Sequence, residues 1–505
     1  MNRWNFMGST ALLALVSGNM AFAAVTPEDV WKSWQETLTT AGQTVAAESE
    51  AREGDTLVVS GVTITSESDG SKAVVSMDEV QFTDTGDGSV EIFMPEEFPV
   101  NLTVPPGEGE TAPTEIELTV TQTDMVITAS GAADATSYAY DVPTMAMEVT
   151  HLQGVKAEKL DLTAKMAVTG AKGSYTSTGT TDKALATEGT AASVAINVVV
   201  NDPETSSKVN FTANIADIAG KSAANLIGGV DMADMNAALK AGFTTDSTLT
   251  YGKVDYSFDF ADAEQSGASK GTVDGGNVDV AIDQGRMAYG FGNKAVAITV
   301  TGSTIPFPEV AVKFAESAFN FVIPVSKSDA PTPFAMLTKI VDLTVSDEIW
   351  AMADPTKTLP RDPVTVILDA KGTAKLSVDL LDQAAMAALG GAAPGELHSL
   401  DVTELRVKFA GAEATGNGAL TFDNTDMTTF NGMPAPTGKV DLKVVGANGL
   451  MDKLVSMGLM PEDQVMGFHM MLGMFAKVVE GEADTMTSTL EFKDKGFFAN
   501  GMQLQ

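Results

Sequence analysis

The sequence predicts a mainly β protein, made of large twisted antiparallel sheets of hairpins, with a few short helices as a minor α+β part. Apolar and polar residues largely alternate in segments such as 56–65 and 71–82, which places one set of side chains on a buried face and the other in water. Asp-Gly turns separate these segments near Gly70 and Gly88, where hairpins need positive φ angles. The same pattern recurs along most of the chain, so large sheets are expected.

The first element predicted after residue 24 is a helix. Thr26 can cap it, Pro27 suits its first position, and apolar residues recur at three- and four-residue spacings from Val30 to Val45. We interpret this segment as a helix that docks on the first sheet. The alternative is a helix lying in a membrane interface, which is disfavoured because the polar face lacks the Lys and Arg that such helices use.

Strands, loops and further helices are predicted in order along the rest of the chain. Alternation and apolar runs predict strands at 56–65, 71–82, 89–94, 115–121, 138–142, 145–149, 192–200, 208–215, 248–260, 277–282, 294–300, 310–314, 364–368, 372–380, 438–445, 485–492 and 497–504. Sequence rich in Gly, Pro or Ser predicts loops or turns at 96–99, 105–113 and 170–174. Helices are predicted at 221–227, 232–239, 382–389 and 449–457, with the last segment continuing to 480 after an interruption at Pro461.

The 505 residues suggest more than one domain. We divide the chain into a signal peptide at 1–23 and two β-rich halves. The half at 24–240 begins with the N-terminal helix, and the half at 241–505 ends in Met-rich helices and a terminal hairpin. The strand–helix units are irregularly spaced, which argues against a solenoid.

Residues 1–23 have the features of a secretory signal peptide. Arg3 is their only charge, the apolar run is too short to span a bilayer, and Ala21-Phe22-Ala23 matches a small-x-small cleavage site. We therefore expect cleavage near Ala23/Ala24 and a soluble periplasmic or secreted protein, with no transmembrane segment in the mature chain.

Composition excludes several classes of function. The 67 acidic and 31 basic residues give a formal charge of −36, which repels phosphate backbones, so no nucleic-acid partner is expected. The chain has no cysteine, which rules out disulfides, thiolate metal sites and a cysteine nucleophile.

Two segments carry a family resemblance. The run 306–369, which includes Ala353-Asp-Pro-Thr-Lys-Thr-Leu-Pro-Arg-Asp-Pro363, and the ending Phe492-Lys-Asp-Lys-Gly-Phe-Phe-Ala-Asn-Gly501 resemble a secreted bacterial family known as a domain of unknown function, number twenty-one twenty-five. The resemblance extends over most of the mature chain, and it implies no catalytic residues because the family has none assigned. In its long repeated hairpins the chain is also similar to envelope proteins whose curved sheets form lipid-conducting grooves, a likeness of fold alone.

No residue is assigned as catalytic, and we expect no enzymatic activity. Gly267-Ala-Ser-Lys-Gly271 matches the Gly-x-Ser-x-Gly pattern of hydrolases, but Gly/Ser/Thr-rich sequence surrounds it where a strand and a helix are required, so an ordinary turn explains it better. Asp354, Arg361 and Asp362 lie in a Pro-rich loop, where an Asp/Arg pair is more often a structural clamp than a catalytic dyad.

Methionine is frequent, with 26 residues, and is concentrated in the last helical segment. Met466, Met470 and Met474, with His469, are candidate Cu(I) ligands, since thioethers and imidazole can bind this ion. The favoured alternative is that these methionines fill irregular gaps and form adaptable apolar surface. No other metal and no cofactor is predicted.

Three functions are open on this basis. The first is an exported β-rich envelope protein that binds an apolar ligand or lipid on a curved sheet. The second is a structural or adaptor protein of the envelope, with protein partners and no small-molecule ligand. The third, an enzyme, has the least support from motifs. A curved face packed solid with side chains would exclude the first.

Overall fold

The computed structural model describes residues 24–68, 70–106, 112–154, 160–231 and 234–505. The predicted signal peptide, residues 1–23, lies outside these ranges. The described residues form six helices and 27 strands. The helices are α1 (Pro27–Thr40), α2 (Met235–Ala241), α3 (Asp347–Ala353), α4 (Gln383–Ala388), α5 (Ala447–Ser456) and α6 (Glu462–Phe475).

The strands follow one another closely along the chain. In the N-terminal part they are β1 (Thr44–Ala46), β2 (Ser49–Glu53), β3 (Thr56–Ser68), β4 (Ser71–Asp84), β5 (Val90–Phe93), β6 (Glu97–Val104), β7 (Thr114–Thr123), β8 (Val126–Ala132), β9 (Ala135–Gln153), β10 (Asp161–Thr178), β11 (Lys183–Asp202) and β12 (Ser207–Leu226). The remainder are β13 (Thr244–Tyr251), β14 (Val254–Ala261), β15 (Ser266–Val273), β16 (Gly275–Ile282), β17 (Arg286–Gly302), β18 (Val310–Pro324), β19 (Thr332–Val345), β20 (Val364–Leu376), β21 (Gly395–Phe409), β22 (Ala412–Asp423), β23 (Ala435–Val445), β24 (Lys477–Val478), β25 (Thr485–Lys493), β26 (Gly496–Ala499) and β27 (Met502–Gln503).

All these strands belong to one antiparallel sheet, which confirms the predicted fold class. Each row of the sheet pairs with the rows before and after it in sequence, so the chain runs up and down through the sheet. Five rows consist of two short strands in line: β1 with β2, β5 with β6, β7 with β8, β13 with β14, and β15 with β16. Because β12 pairs with both β13 and β14, the ladder passes residue 240 without a break.

One face of the sheet, here called the apolar face, carries Leu57, Phe82 and Tyr138 near its N-terminal end. Residues that are directly paired across strands share a face, so the apolar face can be followed by register. One row of pairs contains Val198, Phe211, Phe258, Ser269, Val300 and Val310. Another contains Val366, Val407, Ala414, Val444 and Met486.

The opposite face, here called the polar face, carries mainly hydroxyl, amide and charged groups. The row of pairs beside the first one contains Asn197, Thr212, Ser257, Lys270 and Thr299. Ile367 is an apolar exception; it is 6% exposed and its ladder partners are Lys339 and Arg406, whose aliphatic stems can cover it. The two faces therefore follow the period of two that the sequence predicts.

Helix α1 packs on the apolar face at the N-terminal end and forms the main core of the protein. The predicted cap is present as a capping box, in which Thr26 and Asp29 exchange hydrogen bonds, and Pro27 lies in the first turn. Trp31 of α1 packs against Phe82, with the ring centroids 5.8 Å apart. The prediction that this helix docks on the first sheet is confirmed.

The helix is shorter than its apolar periodicity predicted. It ends at Thr40, and Val45 lies in β1, where it pairs with Ile64. Gly42, with φ of +83°, follows the helix end and turns the chain back toward the sheet. Val45 still contacts the same core, but it does so from a strand.

Two more helices lie at opposite ends of the strands. Helix α2 forms a second core with Val325, against which Leu226, Ile282 and Met287 pack from the strand ends of the apolar face. At the other ends of the strands, Trp350 of α3 stacks on Phe409 of β21, with centroids 5.9 Å apart and planes at 17°. Both helices leave the middle of the apolar face uncovered.

The protein exposes far more surface than a compact monomer of its size. Its accessible surface is 28675 Å², whereas size scaling gives about 18,000 Å² for 52.6 kDa. A sheet that lacks a second layer over much of its area contributes to this excess.

The predicted loop at 96–99 is wrong, because β6 begins at Glu97 and includes Pro99. The ladder between β4 and β6 starts only at Val100, so Pro99 lies where β6 has no partner on that side. A proline is tolerated in a strand at such a place because no ladder hydrogen bond is lost.

The predicted turn at 170–174 is also wrong, since these residues continue β10 between β9 and β11. Gly170 takes a φ of +63° inside the strand, and Gly173 lies next to the hydroxyl group of Tyr140. The glycines in this segment therefore serve a backbone irregularity and a close side-chain approach, and they do not reverse the chain.

The predicted helix at 221–227 is a third error, because these residues complete β12 up to Leu226. Pairing with β11 on one side and β13 on the other overrides the helix preference of the two alanines. Of the next predicted helix, residues 232 and 233 lie outside the described ranges, and the remainder is α2. The helices predicted at 382–389, 449–457 and after Pro461 are confirmed as α4, α5 and α6.

Candidate functional site

The candidate site is the apolar face itself, because it is almost free of charge. Among the ladder-paired residues of β10 to β25, the Asp, Glu, Lys and Arg side chains lie on the polar face, apart from Lys183 and Asp202 at the two ends of β11. Lys183 is paired with Glu36 of α1 at 2.9 Å. The remaining apolar face therefore offers hydrocarbon, glycine and neutral hydroxyl or amide groups.

The apolar face is not packed solid in this region. Few apolar residues on this face of β10 to β23 are buried. In the described part of the chain they are Val296, Ala370 and Leu376. Larger side chains remain open to solvent: Leu249, Met336 and Val407 are 43%, 39% and 41% exposed. Soluble monomers rarely leave a large apolar surface uncovered, which makes this face the candidate site.

Aromatic rings lie flat against glycines on the apolar face. Gly271 pairs with Tyr256, and a Cβ atom added at Gly271 would overlap the tyrosine ring. The same relation holds for Gly267 under Phe260, Gly276 under Tyr251, Gly372 under Phe334, and Gly173 and Gly189 under Tyr140. Because the neighbouring strand has no side chain there, each ring covers backbone and leaves the space above the sheet free.

A second group of aromatic residues extends this surface onto β17 and β18. Tyr289 pairs with Phe321 and Phe291 pairs with Phe319, with ring centroids 6.1 and 6.0 Å apart. Tyr289 remains 37% exposed. These four rings form a broad apolar area near the middle of the sheet.

A depression of about 460 Å³ lies on the apolar face, lined by residues of six successive rows from β9 to β16, among them Tyr140, Ile218 and Leu249. Its volume is in the range of small-molecule sites. Depressions of about 670 and 640 Å³ also occur, but charged residues such as Arg406 and Lys294 line them on the polar face. The first depression has one charged residue in its lining, Lys221, and is therefore less charged than these two.

The serine motif at 267–271 does not form a hydrolase elbow. All five residues lie in β15, between β14 and β17, whereas the elbow requires a sharp turn from a strand into a helix. The expectation of a turn is also wrong. Gly267 and Gly271 are spaced four apart because both face the aromatic rings of β14, and Ser269 lies between them, 3.2 Å from the Tyr256 hydroxyl.

Asp354 is placed as a clamp on the loop between β19 and β20. Its side chain is fully buried and accepts hydrogen bonds from the backbone N–H groups of Thr358 and Leu359 at 2.9 and 2.8 Å. Burial raises the pKa of this carboxyl, but the hydrogen bonds outweigh it, so the pKa lies below its ordinary value. Arg361 pairs with Asp347 at the start of α3. Asp362 is partly buried in the same loop.

The four Cu(I) candidates lie together on α6. Met466, Met470 and Met474 recur every four residues along the helix, and His469 is next to them. The three methionines are 68%, 69% and 49% exposed. Val465 is the buried residue of this helix, so α6 presents an apolar surface on nearly all sides. This arrangement suits both the copper hypothesis and the alternative of adaptable apolar surface.

The continuity of the apolar face was not predicted from the sequence. Strand alternation identified the individual segments, but it could not show that the same face stays apolar across so many rows, because register decides which residues pair. The usable signal was the opposition of aromatic residues in one strand to glycines in the next, as in Tyr256 and Phe260 before Gly267 and Gly271.

The comparisons with known proteins find one family model that matches part of the chain. The model of DUF2125, described as an uncharacterized protein conserved in bacteria, matches residues 295–501. This match confirms the resemblance seen in the segments 306–369 and 492–501, over a shorter part of the chain than expected. No curated protein and no solved structure matches the chain. Within the described ranges, no helix is long and apolar enough to cross a membrane.

Proposed function

We propose that this protein binds the hydrocarbon chains of lipid, or a ligand of similar apolar character, on the apolar face of its sheet. The observation that carries this proposal is the uncovered and uncharged apolar face of β10 to β23. Each methylene group that moves from water onto such a surface contributes up to about 0.8 kcal/mol. A ligand with long chains can therefore bind without any charged contact.

We also propose that the protein acts outside the cytoplasm, in the periplasm or after secretion. The support comes from the residue pattern of 1–23, with one charge, a short apolar run and a small-x-small site. N-terminal sequencing of the protein purified from its native cell tests this, with Ala24 expected as the first residue. A chain that retains Met1 would overturn the proposed location.

The first experiment is organic extraction and mass spectrometry of the native protein, purified from the cell envelope without detergent exchange. We expect lipid in the extract at one molecule per chain or more. A clean extract from a protein shown to be folded by circular dichroism would overturn the binding proposal.

Paired variants connect any ligand to the apolar face. Leu249→Lys and Met336→Lys each place an ammonium group on the apolar face, where it must be desolvated for a lipid chain to bind. Thr250→Lys and Leu337→Lys are matched controls, because these residues are next in the chain and face the other side of the sheet. We expect about tenfold weaker lipid binding in the first pair, or about 1.4 kcal/mol, and little change in the second.

A second candidate function, an adaptor of the envelope, is favoured by α6. Its exposed methionines and Phe468, which is 37% exposed, form an apolar surface that a partner protein could cover. Photo-crosslinking from position 470 in intact cells tests this function. Recovery of one envelope protein, lost when Met466→Glu is combined with the photo-reactive residue at position 470, would support it, whereas the absence of any crosslinked partner would count against it.

A further inference from the structure

We propose that the apolar face holds several lipids at once, in file along the sheet, and that it recognises their hydrocarbon chains rather than their headgroups. This inference rests on the proposed function. It adds the number of ligands per chain and the part of each ligand that the protein contacts.

The length of the apolar face supports more than one lipid. The strands from β10 to β23 form twelve successive rows, and at about 4.8 Å between rows they extend about 53 Å along the sheet. The hydrocarbon core of a bilayer is about 30 Å thick, so the chains of one lipid extend about 15 Å. A single lipid laid across the strands would cover less than a third of the uncovered face.

The aromatic residues that pair with glycines keep the apolar face continuous over these rows. Tyr251, Tyr256 and Phe260 lie against glycines of β15 and β16, in the middle rows of the sheet. If those glycines carried side chains, the rings would have to tilt away from the backbone and would divide the apolar face into two shorter parts. The recurrence of this arrangement supports a continuous path for hydrocarbon.

The distribution of charge explains why headgroups are not recognised. Between β10 and β25 the charged side chains of ladder-paired residues lie on the polar face, except for Lys183, which is paired with Glu36, and Asp202 at a strand end. A headgroup of either sign must therefore remain at the edge of the sheet, in water. The net charge of −36 disfavours anionic lipids further at low ionic strength.

Native mass spectrometry of the full chain tests the number of ligands. The delipidated protein is incubated with vesicles of phosphatidylcholine or of phosphatidylglycerol, and the lipids retained per chain are counted. We expect two or more phosphatidylcholine molecules per chain, and no more phosphatidylglycerol than phosphatidylcholine. A single lipid per chain would overturn this inference and leave the proposed function intact, whereas no lipid at all would overturn both. A clear preference for phosphatidylglycerol would overturn the absence of headgroup recognition.

The variant Gly271→Val tests the continuity of the face. Its side chain would displace the Tyr256 ring away from the sheet, so we expect fewer lipids per chain than in the wild type. Gly220→Ala is the control, because the nearest atom to an added Cβ is Leu249 Cδ1 at 3.7 Å. An unchanged count in folded Gly271→Val would overturn the continuous path. If that variant does not fold, the wild-type count and Leu249→Lys still decide the proposal.

Discussion

Glycine has two different roles at the residue scale in this protein. Gly86 and Gly88 have φ angles of +80° and +93° and form the turn between β4 and β5, as the Asp87-Gly88 pair predicts. Gly267 and Gly271 instead lie inside a strand, where the absence of a side chain lets aromatic rings approach the backbone. The same residue type therefore predicts a turn correctly in one place and wrongly in another, because only the partner strand distinguishes the two roles.

Asp354 gives a prediction of pH dependence. Because its pKa is lowered in the folded protein, its stabilising effect is present above its ordinary pKa of 3.8 and is lost as the pH falls through the folded value. Asp354→Asn should therefore be less stable than the wild type at pH 7, and the difference should shrink between about pH 5 and pH 2.

Chemical denaturation at a series of pH values measures this difference, with the exposed Asp329→Asn as the control. A stability difference for Asp354→Asn that stays constant with pH would show that the ionised carboxylate is not responsible for holding the loop.

Lys183 gives a prediction of stability. Its side chain is 2% exposed and its ammonium group pairs with Glu36 at 2.9 Å, which joins α1 to the end of β11. Lys183→Ala removes a buried ammonium group and its aliphatic stem, but Glu36 is 35% exposed and also lies 3.8 Å from Lys32, so the protein should be destabilised by about 2 kcal/mol, less than for a fully buried pair. Lys172→Ala breaks an exposed pair with Asp141 and should cost less than about 1 kcal/mol. Equal effects in urea denaturation would contradict the structural role of the buried pair.

At the scale of elements, the sheet and the helices differ in how they use apolar residues. Each strand of this sheet contributes apolar side chains to one face, and the neighbouring strands continue that face. Helix α1 buries its apolar stripe, with Val30 fully buried and Trp31 3% exposed. Helix α6 neither buries an apolar stripe nor continues an apolar face of neighbouring elements, because its apolar residues surround the helix and most remain exposed. A helix that is apolar on all sides normally has a partner, which makes α6 the element to test by itself.

The copper hypothesis is tested on α6. We expect no stoichiometric Cu(I) binding, since sites built without cysteine are uncommon for this soft ion. Competition with a chromophoric Cu(I) chelator measures binding. Stoichiometric binding that disappears in Met470→Leu plus Met474→Leu, and persists in Met451→Leu, where the methionine is buried, would contradict this expectation and identify the site. Binding that survives the double change would remove this cluster from consideration.

At the scale of the whole molecule, the extended sheet predicts an unusual shape in solution. A compact chain of 505 residues has a radius of gyration of about 23 Å. The twenty rows from β1 to β26 extend over about 90 Å, so we expect a radius of gyration of about 30 Å. Small-angle X-ray scattering measures it directly. A value near that of a compact chain would show that the sheet folds back on itself and covers the apolar face.

Much of the fold was predictable because it depends on local pattern. The period of two, the turn residues and the cap at Thr26 are properties of neighbouring residues, and they gave β3, β4 and α1 nearly as observed. The errors have a common physical cause. Pro99, the glycines near Gly170 and the alanines before Leu226 were interpreted from their local preferences, whereas pairing on one or both sides of a strand decided their structure.

The candidate site depended still more on tertiary structure. The Pro-rich sequence favoured a structural role for an Asp/Arg pair over a catalytic one; Asp354 accepts hydrogen bonds from the loop backbone, whereas Arg361 pairs with Asp347. The Cu(I) candidates fall on one helix, as their spacing predicts. The apolar face could be expected only as a curved sheet of unknown extent, because its continuity depends on the register of each strand with the next.

The sequence by itself determined the fold class, the absence of thiol chemistry, the acidic surface and the expectation of export, because these follow from composition and from patterns only a few residues long. The tertiary structure alone decided that one sheet continues through the whole described chain and that its apolar side chains keep to one face. The physical reason is that a strand specifies its two faces but not its neighbours, and a shift of one residue in register would have placed the same side chains on the opposite face, among the charged groups.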